Sequence, residues 1–109
     1  LPRALFALSP WADLTSTAAS IDARAARDPL VDRAGLEAMA ALYLRLADAH
    51  DPRASPLFAP LAGLPPTLVQ VGEDECLHDD AVALAHRIEL RPAVVDHAVA
   101  AFETEASTL

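Results

Sequence analysis

The chain has 109 residues, 53% of them hydrophobic and only three of them glycine, which indicates a small domain with a packed core and not a disordered segment. Its formal net charge of -8 argues against nucleic acid or an anionic membrane surface as a partner, because both attract clustered Lys and Arg. No apolar run approaches the roughly 20 residues that span a bilayer, and the single cysteine, Cys76, excludes an internal disulfide and favours a reducing, cytoplasmic location.

The first predicted strand occupies residues 3–8, an apolar run typical of strands that are buried on both faces. Pro10 prevents this run from continuing as a helix. Residues 11–20 are polar and rich in threonine, which predicts a loop over the surface. A helix of one or two turns is predicted over residues 21–27, because Pro29 disfavours the helical conformation at the residue before it.

A longer helix is predicted over about residues 32–47, with Asp32 at the position of an N-cap. Its apolar stripe follows the helical period and consists of Leu36, Met39, Tyr43 and Leu46. Residues 50–66 contain several prolines and are predicted to form a loop. The apolar residues of this loop indicate that it packs against the body of the protein; they are Leu57, Phe58, Leu61 and Leu64.

Residues 67–71 form the second predicted strand, which an acid-rich loop and a third helix follow. This helix is predicted from Asp79 and Asp80, whose carboxylates suit the positive end of its dipole, to about Leu90. Its apolar face consists of Ala81, Leu84, Ala85 and Ile88. The order of elements predicts an α/β fold with parallel strands. Because two strands do not form a stable sheet alone, we expect an incomplete domain from a longer protein.

The loop after the second strand carries the candidate for chemistry. Open α/β sheets hold their functional groups at the carboxyl ends of their strands, and Glu75 lies there among other acids. The neighbouring His78, Asp79 and Asp80 could be interpreted as a metal site. We consider this less suitable, because the helix dipole already explains the two aspartates and the sequence suggests no further ligands that would join them.

Cysteine and serine are the other residue types in the chain that could supply a nucleophile. Cys76 is expected in a small buried position, because His78, two residues away, projects in a different direction. Ser9 and Ser55 have no histidine at motif spacing and are not nucleophile candidates.

Five blocks follow one another in an informative order and spacing. They are residues 8–15, residues 27–30 ahead of a helix that ends with residues 41–44, and residues 51–59, 64–72 and 75–81. Together they resemble the carboxyl-terminal part of an α/β-hydrolase of the hormone-sensitive-lipase-like branch, the bacterial family IV carboxylesterases. The resemblance covers about residues 4–86, and residues 87–109 diverge from it. It implies a partial α/β-hydrolase fold over residues 1–109, with two or three parallel strands and flanking helices.

In that family a triad of Ser, His and Asp or Glu hydrolyses carboxylic esters, and no metal or organic cofactor is implied. The resemblance implies that Glu75 is the triad acid, with Asp74 as the alternative because a shift of one residue would exchange them. Such a carboxylate accepts a hydrogen bond from the histidine ring and stabilises the imidazolium that forms during acyl transfer. The resemblance also implies that Trp11 and Phe58 form walls of the substrate pocket.

The chain departs from the family at the other members of the triad. It contains neither the Gly-x-Ser-x-Gly nucleophile elbow nor the glycine-rich oxyanion-hole segment, both of which we expect upstream of Leu1 in a longer relative. His97 is a faint counterpart of the catalytic histidine, without the glycine that precedes it in the family. The sequence therefore predicts a fragment of a serine carboxylesterase that acts on a small ester and is inactive alone. Two alternatives remain: a non-catalytic acidic helical interaction module, and one half of a split esterase whose upstream half supplies the serine.

Overall fold

The structure, a computed structural model, describes residues 2–89. Its elements are β1 (Leu5–Leu8), α1 (Ser20–Ala23), α2 (Arg33–Leu44), a single 3-10 turn (Pro56–Phe58), β2 (Thr67–Gln70) and α3 (His78–Glu89). The two strands pair in parallel, with Leu5 opposite Thr67 and Leu8 opposite Gln70. The predicted α/β order and the parallel pairing are therefore confirmed.

The main hydrophobic cluster lies between the sheet and α3. Its buried members are Ala12, Val69, Val71, Ala81, Leu84, Ala85 and Ile88, and they include the whole predicted apolar face of α3. Leu57, Leu61 and Leu64 pack against this cluster from the proline-rich loop, as the sequence predicted. Phe58, predicted to pack with them, is instead 41% exposed and lies outside the cluster. Because α3 begins close after β2, this packing fixes the loop between them at the carboxyl end of the sheet.

The opposite face of β1 is exposed, so the prediction that this strand is buried on both faces is wrong for the described residues. Phe6 is 57% exposed and Leu8 is 66% exposed, whereas Leu5 and Ala7 on the other face are partly buried. Side chains alternate along a strand, and only one face of this strand meets α3. No element among residues 2–89 covers the other face.

Helix α2 begins as predicted, but most of its apolar stripe is not buried. Leu36 and Ala40 are buried, while Met39 and Tyr43 are mainly exposed. Leu46 is fully exposed beyond the end of the helix at Leu44.

Within residues 2–89, no helix combines the length and the apolar character that crossing a membrane requires.

The loop that follows β1 is not a surface loop, which corrects the prediction for residues 11–20. Ala12, Leu14 and Ser20 are all buried. A buried loop is tolerated only when its backbone polar groups find partners. Here the Leu14 backbone N–H donates to the Ser55 hydroxyl at 2.8 Å, and Ser20 donates its hydroxyl to the Cys76 carbonyl at 2.6 Å.

Asp32 caps α2, because its carboxylate accepts a hydrogen bond from the Gly35 backbone N–H at 2.8 Å. Replacing Asp32 with Ala removes this acceptor, and we expect a loss of about 1 kcal/mol in the free energy of unfolding. Asp32→Asn keeps a capping oxygen and should stay within a few tenths of a kcal/mol of the parent. Urea unfolding followed by circular dichroism measures the difference, and equal losses in both variants would contradict the capping role.

Candidate active-site acid at the carboxyl edge of the sheet

The carboxylate of Glu75 lies at the carboxyl ends of both strands. One of its oxygens, Oε2, accepts a hydrogen bond from the Ser9 hydroxyl at 2.9 Å and another from the backbone N–H of Gly72. Ser9 directly follows β1, and Gly72 comes two residues after the end of β2. The side chain thus spans the two strand ends in the place where α/β sheets hold functional groups.

The side chain of Glu75 lies so close to the backbone at position 72 that this position requires glycine. A Cβ atom at position 72 would lie 2.9 Å from Oε2 of Glu75 and 3.3 Å from its Cγ. A larger residue would displace the carboxylate from its two donors. Glycine here allows the backbone to approach the acid.

The backbone of the acid loop is anchored at Glu75 itself and at the residue that follows it. The Glu75 carbonyl accepts a hydrogen bond from the His78 backbone N–H at 3.1 Å, at the start of α3. The next residue, Cys76, donates its backbone N–H to Asp28 at 2.9 Å. Burial opposes the ionisation of Asp28, but hydrogen bonds from the backbone of Cys76 and Leu30, among others, outweigh it and lower its pKa.

Asp74, the alternative acid, makes a different contact. Its carboxylate pairs with the Arg27 guanidinium at 3.1 Å, and both side chains are more than half exposed. A recess of about 310 Å³ lies beside these acids and is lined by Pro29, Gly72, Glu73, Asp74 and Glu75. The structure therefore gives the two neighbouring acids distinct partners, one at the strand ends and one at the surface.

Asp80 lies in the first turn of α3, as predicted, but its carboxylate also makes buried contacts that the sequence did not indicate. Its side chain is only 2% exposed and accepts hydrogen bonds from the backbone N–H groups of Ala12 and Asp13, at 3.0 and 2.9 Å. It thereby ties the chain that leaves β1 to the first turn of α3. Burial raises the pKa of Asp80 to about 6, against the effect of these two hydrogen bonds, and the charges of Asp13 and Asp79 raise it further.

The thiol of Cys76 is a structural group. It is fully buried, as predicted, and its sulfur lies 3.3 and 3.2 Å from the carbonyl oxygens of Ile21 and Val31, which share its one S–H as acceptors. Burial, followed by the charge of Asp28, raises its pKa and disfavours the thiolate that a nucleophile would need. Across residues 2–89, no group of three or more His, Cys, Asp or Glu side chains is arranged to hold a metal ion.

The two aromatic residues assigned to pocket walls lie in different surroundings. Trp11 is half-buried, donates its indole N–H to the Asp13 carbonyl at 3.2 Å, and helps to line an apolar groove of about 370 Å³. The groove is completed by Leu14, Met39, Tyr43 and Ala54. Phe58 is partly exposed and lies with its ring 5.2 Å from that of His50. Neither aromatic residue lines the recess beside Glu75, and His97 falls outside the described residues.

Ser9 is the residue of this site that sequence reasoning missed. It was considered only as a nucleophile, whereas its hydroxyl donates to Glu75 across 66 positions of the chain. The position of Ser9 directly after β1 could have indicated this contact, because parallel strands bring their carboxyl ends to the same edge of the sheet.

The sequence matches the family described as the alpha/beta hydrolase fold over residues 1–105. Over 84 residues it is 52% identical to an acetyl-hydrolase of Streptomyces hygroscopicus, covering 77% of this chain and 28% of that protein. A crystal structure of an esterase/lipase from an uncultured bacterium superposes with a TM-score of 0.80 at 45% identity, covering 87% of this chain and 31% of that one.

A crystal structure of an esterase from the bacterial hormone-sensitive lipase family superposes with a TM-score of 0.81 at 38% identity. This superposition covers 99% of the present chain and 40% of that one. The chain thus spans well under half the length of the proteins it matches. The chain belongs to the α/β-hydrolase family, in the hormone-sensitive-lipase-like branch of the bacterial family IV carboxylesterases.

Proposed function

We propose that this chain supplies the catalytic acid, Glu75, to a serine carboxylesterase that cleaves short-chain acyl esters. The observation that carries the proposal is the position of the Glu75 carboxylate, which two donors hold at the carboxyl ends of β1 and β2. The acetyl-hydrolase that matches this chain supports acetyl esters as the first substrates to test.

The geometry of the carboxylate suits the role of a triad acid. Both of its hydrogen bonds from the described residues fall on Oε2. Oε1 is then available to accept the N–H of an imidazole, which fixes the tautomer of the histidine and stabilises its cationic form. Within this chain we assign the role of that histidine to His97.

The nucleophile and the oxyanion hole would come from outside these 109 residues, since the sequence holds no Gly-x-Ser-x-Gly. The serine would attack the ester carbonyl, release the alcohol and form an acyl-enzyme that water then hydrolyses. The single buried cysteine, Cys76, supports the proposal of a reducing, cytoplasmic location.

A chimera tests this function directly. In it, residues 2–89 replace the stretch of the Streptomyces hygroscopicus acetyl-hydrolase that they match, and that protein supplies both the serine and the histidine, so His97 is not part of the chimera. We expect the chimera to hydrolyse p-nitrophenyl acetate, because 52% identity and a shared fold let the segment pack in place of the original. The 109-residue chain alone should show no turnover. A correctly folded but inactive chimera would contradict the proposal, and so would turnover by the isolated chain that Glu75→Ala abolishes.

A split esterase is a second candidate, favoured by the exposed apolar face of β1. Phe6 and Leu8 would be covered if a separate chain supplied the missing half of the sheet. Co-expression of the 109 residues with the upstream portion of the acetyl-hydrolase should then restore p-nitrophenyl acetate hydrolysis. An acidic interaction module would instead bind that portion, or another partner, without any turnover.

A further inference from the structure

We infer that Ser9 is a positioning residue whose hydroxyl holds the Glu75 carboxylate in the orientation that the histidine requires. This inference rests on the proposed role of Glu75. It adds a specific dependence: loss of the Ser9 hydroxyl should lower turnover while leaving substrate affinity nearly unchanged.

The backbone of Ser9 is fixed by the sheet. Its N–H donates to the Gln70 carbonyl at 2.7 Å, which extends the pairing of β1 with β2 by one residue. Its Oγ lies 2.9 Å from Oε2 of Glu75. The donor is therefore carried by the rigid part of the fold, whereas the acid lies in the turn that follows β2.

Ser9 adopts a backbone conformation that serine rarely adopts. Its φ is 45°, in the left-handed region, which is strained for a residue other than glycine. Glycine would relieve this strain, but it could not donate to Glu75. The contact with the acid gives a reason for a strained serine at this position.

Without Ser9, the carboxylate would keep a single donor from the described residues, the Gly72 N–H. Asp74 directly precedes Glu75 and Glu73 lies one residue further back, and repulsion from their negative charges opposes a carboxylate that only one donor holds in place. Misplacement of a catalytic group by about 1 Å costs up to about 100-fold in rate. The expected loss is in kcat, because the acid acts on the histidine and does not bind the ester.

The chain offers a matched control in Ser16. Ser16 also has a left-handed backbone, with a φ of 57°, and among the described residues its buried hydroxyl has no hydrogen-bond partner. Ser9→Gly and Ser16→Gly therefore make the same chemical change and relieve the same kind of strain. Only the first removes a donor to Glu75.

The test measures p-nitrophenyl acetate hydrolysis by the chimera carrying each variant. We expect Ser9→Gly to lower kcat by about 10- to 100-fold with KM within about twofold, while the thermal midpoint stays equal or rises. Ser16→Gly should leave kcat unchanged. A purely structural role for Ser9 predicts the reverse pattern, a lower thermal midpoint with an unchanged kcat, and would overturn the inference.

Two further variants separate the possible failures. Normal turnover in Ser9→Gly together with an inactive Glu75→Gln overturns the role of Ser9 but leaves the proposed function standing. Normal turnover in Glu75→Gln overturns both. If Ser9→Gly fails to fold, as circular dichroism would show, Ser9→Ala removes the same hydroxyl while keeping the Cβ atom, and the same comparison of kcat and KM decides.

Discussion

Replacing Glu75 with Gln in the chimera should lower kcat for p-nitrophenyl acetate by about 10³- to 10⁴-fold. Glutamine keeps the size of the side chain, and its amide oxygen can still accept from Ser9 and Gly72. The substitution removes the negative charge that stabilises the imidazolium, and it can place an NH₂ group where the histidine needs an acceptor. The loss is thus expected from the chemistry of the side chain and not from displacement of the loop.

Asp74→Asn is the matched control for this experiment. It removes the same charge one residue earlier and weakens a surface ion pair with Arg27. Exposed pairs of this kind contribute little to stability, so kcat should stay within about twofold of the parent. If Asp74→Asn were inactive and Glu75→Gln active, the acid would be Asp74 and the assignment based on strand-end geometry would be wrong.

The parts of the fold that could be predicted are those set by local periodicity. The apolar face of α3, the N-cap of α2 and the strand over residues 67–70 each depend on residues close together in sequence. The exposure of Phe6 and Tyr43 could not be predicted in this way. Whether such a face is covered depends on other elements, and residues 2–89 supply none for these two side chains.

The candidate site likewise combines a residue that the local sequence predicts with a contact that depends on distant parts of the chain. Glu75 was found from its place after a strand and from a short motif that the chain shares with family IV esterases. Its donor Ser9 lies 66 positions away, and the contact exists only because β1 and β2 pair in parallel and in register. The contacts of Asp80 with the loop after β1 could not be predicted for the same reason, because a helix N-terminal aspartate gives no local sign that a distant loop will bury it.

Replacing Asp80 with Ala should destabilise the chimera by about 3 kcal/mol relative to Asp80→Asn. Alanine leaves two backbone N–H groups without an acceptor, and both Ala12 and Asp13 are buried. A buried donor without a partner costs about 1–3 kcal/mol. In Asp80→Asn the amide oxygen can replace Oδ2, which accepts both hydrogen bonds in the parent. Urea unfolding of the two variants measures the difference, and equal stability would mean that this carboxylate does not hold the loop.

The pH dependence of stability in the parent chimera and in Asp80→Asn tests the buried charge. Asp80 has a folded-state pKa of about 6 against an ordinary value of 3.8, so between these values the folded state holds a proton that the unfolded state has lost. The free energy of unfolding due to this group therefore falls as pH rises from about 4 to about 6, by about 3 kcal/mol, and stays constant above. Asp80→Asn cannot ionise and should lack this decline. Its stability relative to the parent should rise over that interval and level off near pH 7, whereas a difference that does not change with pH would show that the carboxyl is not desolvated by the loop after β1.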